Sequence, residues 1–109
     1  MLTEAQLVAA AQGDLAALGF RADWIVASVD ERGCWRVTLR VNDREFVFGQ
    51  LGSDGFRFCE RVNGRDEDRV AATLPPSSDE QKVLWQYAFT LLRHALHDPH
   101  FRGFAGSVM

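Results

Sequence analysis

Excess positive charge, abundant cysteine and long apolar runs are all missing from this 109-residue chain, and each absence removes a class of function. Twelve Lys and Arg stand against fifteen Asp and Glu, a formal net charge of −3. Such a chain has no broad attraction for nucleic acid or for an anionic membrane surface. No stretch approaches the roughly 18 apolar residues of a membrane span, and the opening MLTEAQLVAAAQGDLAALGF lacks the basic start and unbroken apolar core of a secretion signal. A cytoplasmic location is the expectation. There is no nucleophile elbow, phosphate loop or dinucleotide fingerprint. The acidic residues cluster in turns and at helix starts, where capping and solubility account for them. Neither an enzyme nor a bound cofactor is expected. Lysine occurs once against eleven arginines, a bias that fits a GC-rich bacterial genome.

What is present is the composition of a folded domain. Hydrophobic residues make up 47% and charged residues 25%, which argues against disorder, and 109 residues leave no room for a second unit. Residues 1–109 are read as one domain without repeats or linkers.

Thr3 followed by Gln6 has the spacing of a capping box, and Leu7, Val8, Ala11, Leu15 and Leu18 then share a helical face until Gly19. A helix is expected over 3–18. From Trp24 the period changes to two, in WIVASV, CWRVTLRV, EFVFGQL and FRFCERV, separated by DERG, ND and GSDG. This is the pattern of an antiparallel meander. NGRDED (63–68) reads as a charged turn, and RVAATL (69–74) is a candidate fifth strand before Pro75-Pro76. Ser77 with Glu80, or Ser78 with Gln81, offers a second capping box for a helix over 78–97. The fold class is therefore α+β: a four-stranded meander, with one candidate further strand, flanked by an N-terminal and a C-terminal helix. The layout is similar to that of bacterial secretion chaperones, but those interrupt the sheet with a helix and no motif here matches them. No family is assigned.

Turn lengths set the registers. A turn centred on Glu31-Arg32 pairs Val26 with Val37 and Trp24 with Leu39, which puts Trp24, Val26, Trp35, Val37 and Leu39 on the core face. Asn42-Asp43 pairs Leu39 with Phe46, Val37 with Phe48 and Arg40 with Glu45. A two-residue turn at Ser53-Asp54 would drive Arg61 into the core. A three-residue loop with Gly55 in a left-handed bulge instead pairs Phe48 with Phe58 and Glu45 with Arg61.

The second sheet face then reads in rows: Ala27, Arg36, Gly49, Arg57; next Ile25, Thr38, Val47, Cys59; next Arg40, Glu45, Arg61. Glycine is unfavourable inside a strand, so Gly49 needs a reason. One is room for a small anion between Arg36 and Arg57, whose Cα atoms lie about 10 Å apart across two strand spacings. The other is that the arginine stems cover it. Arg40, Glu45 and Arg61 read as a neutralised surface network. Cys34 and Cys59 sit two strands apart, too far for a disulfide, and read as free thiols. His94, His97 and His100 with Asp98 invite a metal, but Pro99 should end the helix before His100 and the dipole alone favours histidine there, so no metal site is assigned.

Apolar residues cover roughly 240° of the second helix, where packing on a sheet needs little more than about 100°. Either the first helix and the tail HFRGFAGSVM cover the excess, or a second molecule does. The expectation is a non-catalytic interaction or adaptor domain that self-associates as a homodimer, with Trp85, Phe89, Leu92 and Leu96 in the contact and a different protein as the other possible partner. The alternative is a binding domain for a small anionic ligand at Arg36, Gly49 and Arg57.

Overall fold

Thr3 and Gln6 cap the first helix as their spacing requires. The Gln6 amide donates to Thr3 Oγ1 (3.1 Å) and the Thr3 amide to Gln6 Oε1 (2.8 Å). A computed structural model describes residues 3–50, 56–69 and 81–101. The helix, α1, spans Glu4–Ala17 and buries Leu7, Ala11 and Leu15. Gly19, at φ +87°, ends it: the Gly19 amide reaches Ala16 O and the Phe20 amide reaches Leu15 O, so glycine takes the left-handed position that lets both carbonyls be satisfied.

Five strands follow: β1 (Trp24–Val29), β2 (Trp35–Val41), β3 (Arg44–Gln50), β4 (Phe56–Val62) and β5 (Arg65–Asp68); α2 (Gln81–His97) comes last. The strands form one antiparallel sheet in sequence order. The fold is α+β, an antiparallel sheet with a helix at each end of the chain, as the periodicity indicated. Asn42 and Asp43 have φ of +52° and +65°, and Asn63 and Gly64 of +54° and +80°, so both two-residue turns have the left-handed geometry that suits the twist of a hairpin. Among the described residues no helix is long and apolar enough to cross a membrane.

The middle registers agree with expectation. Val37 faces Phe48, Leu39 faces Phe46, Phe48 faces Phe58 and Glu45 faces Arg61. Gly55, the expected bulge, lies outside the described residues, as do the candidate caps Ser77 and Ser78, the last five residues of RVAATL and the chain beyond Phe101.

β1 is shifted by one residue from the expected register. Val29 pairs with Trp35, Ala27 with Val37 and Ile25 with Leu39. The cause is the loop before β2. Gly33, at φ +84°, donates its amide to Asp30 O, while the Asp30 amide bonds Cys34 O, making a three-residue loop of Glu31, Arg32 and Gly33. Asp30 Oδ1 secures it by accepting from the Arg32 and Cys34 amides, both at 2.9 Å. One extra loop residue reverses every side chain of the strand. Ile25, Ala27 and Val29 therefore join the core face, and Trp24 and Val26, expected inside, stand on the other face 38% and 59% exposed. A second correction concerns the fifth strand. NGRDED is not a turn: Asn63-Gly64 turns the chain, and RDED pairs with β4 as β5.

Both helices pack on the core face, α1 against β1 and α2 against β3 and β4. Val37, Leu39, Phe46, Phe48 and Phe58 meet Leu84, Ala88, Leu91 and Leu92 there, all essentially inaccessible. The broad apolar arc of α2 is explained by its neighbours: one side faces the sheet and another faces α1, where Trp85 Nε1 donates to Asp14 Oδ2 at 2.6 Å.

Candidate functional site

Three arrangements of side chains carry chemistry. The first is the open sheet face. Its rows are Ser28, Arg36, Gly49, Arg57; then Val26, Thr38, Val47, Cys59, Asp68; then Trp24, Arg40, Glu45, Arg61, Asp66. The structure thus brings Arg36, Gly49 and Arg57 into one row as expected, with Ser28 rather than Ala27 beside them. Gly49 does not open a hole. At φ +136° a Cβ there would collide with the carbonyl oxygen of Trp35 and lie 3.0 Å from Arg36 Cα. The missing side chain admits the β2 backbone.

Two of the arginines on this face, Arg57 and Arg61, are matched by acids that β5 supplies, and Arg40 by Asp23 and Asp43. Arg57 donates through Nε and Nη2 to Asp68 Oδ1, at 3.1 and 3.0 Å. Arg61 bridges Asp66 (2.8 Å) and Glu45 (2.7 Å), extending the expected Glu45–Arg61 pair into a three-residue network. The hydrogen bond from Arg61 holds the Asp66 carboxyl below its ordinary range, with Arg36 and Arg57 adding attraction. Cys59, buried in this row, gives its thiol hydrogen to Asp68, and burial with that bond pushes its pKa up to about 12. A thiol held protonated in this way is a poor nucleophile.

The second arrangement is a charge cluster inside the core end of the sheet, which the sequence reading did not pick out. Glu60, 7% exposed, receives Arg44 through Nε and Nη2 at 2.9 and 2.8 Å, and Arg69, also 7% exposed, at 3.0 Å. Arg44 stacks over Phe46 and reaches Ala95 O, tying β3 and β4 to the end of α2. Arg69 also bonds Glu67, which sits opposite Glu60, so one guanidinium neutralises two facing carboxylates. The register already implied this cluster, since any pairing of Phe48 with Phe58 puts Glu60 and Arg44 on the core face.

The third is the pair Trp24 and Val26, the exposed large hydrophobics of the described residues, on the outermost strand β1. The four residues expected in a contact lie elsewhere, within the chain's own packing. Leu92 is fully buried and Phe89 is 7% exposed against Phe48, while Trp85 meets Trp35 edge-to-face and Phe89 at a tilt; Leu96 is half-buried. α1 covers the flank that a sheet alone would have left bare.

At the end of α2, His94 stacks on Phe101 and His97 on Phe20, and Asp98 Oδ1 accepts from the His100 amide. Among the described residues no three metal-ligating side chains come together. No family model, no curated protein and no solved structure matches this chain.

Proposed function

We propose that this protein is a small non-catalytic interaction domain that self-associates as a homodimer, and that its contact surface is β1 rather than α2. The observation that carries this reading is Trp24 and Val26, 38% and 59% exposed on an outer strand that, among the described residues, has a strand neighbour on one side only. Adjacent large apolar side chains on a strand are favoured interface anchors. A non-catalytic role is supported by the state of the titratable groups: Glu60, Asp66, Asp68 and Glu45 are engaged by arginines, and the Cys59 thiol is held protonated. Free Cys34 and Cys59 fit a reducing, cytoplasmic setting. The anion reading at Arg36, Gly49 and Arg57 is not carried forward, because Asp68 already holds Arg57 and backbone fills the space at Gly49.

Sedimentation equilibrium tests the proposal. The chain should run at twice its 12.2 kDa at about 100 μM, and Trp24→Ser with Val26→Ser should return it to monomer with an unchanged circular dichroism spectrum. A wild-type monomer at that concentration would refute it.

A further inference from the structure

The geometry points to how two copies meet: β1 pairs antiparallel with β1 of a second copy about a two-fold axis through Val26, joining two five-stranded sheets into one of ten. This rests on the self-association proposed above. It starts from a contrast between the two edges of the sheet. β5, at one edge, is RDED, four exposed and charged residues. Charge and shortness are the usual protection of a strand edge against another chain. β1, at the other edge, is WIVASV, six residues with no charge, no proline and, by its uniform pairing to β2, no bulge. It carries none of those protections, and among the described residues no strand pairs with its outer side.

The hydrogen-bond phase of the open edge follows from the inner one. The Asp30 amide bonds Cys34 O, so by alternation the amides of Ser28 and Val26 face β2, and those of Ile25, Ala27 and Val29 face outward. A second strand must therefore match these residues with its own outward set. Four registers do so. Those centred on Ile25 or Ser28 pair only three residues of β1 with β1. The register centred on Ala27 pairs five, but sets Val26 against Ser28 and Trp24 against Asp30 of the second copy. The register centred on Val26 also pairs five. It sets Val26 against Val26 and Trp24 against Ser28 with Val26 diagonally adjacent; regular pairing stops at Trp24, because the Asp23 amide turns inward to Arg40 O.

The apolar face thus selects one register, the one that places the exposed valine and tryptophan of both copies together. A second copy is the occupant because the strand complements itself in hydrogen-bond phase and in apolar face.

Cysteine cross-linking and hydrogen exchange read the pairing directly. Val26 would form a non-hydrogen-bonded pair with itself, with Cα atoms about 4.5 Å apart, within the disulfide range of about 4.4–6.8 Å. In a Cys34→Ser background, Val26→Cys should form a disulfide dimer on mild oxidation and Ser28→Cys should not. In the wild-type chain, the Ile25 and Ala27 amides should exchange at least about tenfold more slowly at about 100 μM than at about 1 μM, with the Val26 amide unchanged. A dimer in which Ser28→Cys cross-links and Val26→Cys does not would overturn the register. A dimer with no cross-link and no concentration-dependent protection would overturn β1 pairing while leaving self-association standing. A monomer throughout would overturn both.

Discussion

Gly49→Ala isolates one backbone contact. Two costs add at this position. The φ of +136° is one that residues with a side chain adopt only under strain, at about 1–3 kcal/mol. The new methyl would also run into Trp35 O, with Arg36 Cα at 3.0 Å and Trp35 C at 3.1 Å. These are backbone atoms in the interior of β2, so no side chain can swing aside. Relief requires β2 and β3 to separate locally, with forced overpacking costing about 1–3 kcal/mol. Together the loss should be about 2–6 kcal/mol. For a domain near 100 residues each kcal/mol lowers the melting temperature by roughly 4–8 °C, so a fall of at least about 8 °C is expected by calorimetry or circular dichroism. Replacing glycine by alanine in an ordinary strand interior should do the reverse, since alanine costs less backbone entropy. A variant melting at or above wild type would refute the close approach and reopen the space beside Arg36 and Arg57.

Glu60→Ala removes the carboxylate that Arg44 and Arg69 share and should cost about 3–5 kcal/mol in chemical denaturation; a loss under about 1 kcal/mol would show that the buried cluster contributes nothing. The Arg44 bonds, ahead of those from Arg69, hold this carboxyl below the ordinary 4.5 despite its burial. Its contribution is therefore complete above that pH and is lost as pH falls through the lowered folded value, so wild type should show a steeper acid limb than Glu60→Gln. Thiol titration of the native chain at about pH 8 should modify Cys34 alone, with Cys59 reacting only after denaturation; rapid reaction of both would contradict the protonated, buried state of Cys59.

The parts of the fold legible in the sequence were those fixed by a strong local signal. Thr3 and Gln6 marked the start of α1 because a capping box needs only a three-residue spacing. The registers of β2, β3 and β4 followed because several phenylalanines must share one face, and only one combination of turns allows it. β1 was misread because its residues are ambiguous. Trp24 and Val26 are as apolar as Ile25, Ala27 and Val29, so the pattern does not choose a face, and the loop chooses instead. Gly33 takes the left-handed position there, by the same logic that placed a bulge at Gly55. Trp85 and Phe89 were assigned to a contact because the sequence shows how wide an apolar arc is and not which element covers it.

β5 was hidden for a different reason, which bears on function. RDED has no apolar alternation, and its strand character comes from its neighbours: Asp66 is opposite Arg61, Asp68 binds Arg57, and Glu67 shares Arg69 with Glu60. The three acids, Asp66, Glu67 and Asp68, meet two requirements at once. They neutralise arginines on both faces of the sheet, and they leave a charged edge that resists strand addition. The asymmetry of the sheet follows, because no equivalent charges lie on β1, where the exposed residues are a tryptophan, a valine and a serine. Among the described residues the sheet is thus guarded at one edge and unguarded at the other, and under the proposed pairing a two-fold axis at β1 would end growth after a single addition, since both outer edges of the ten-stranded sheet would then be β5.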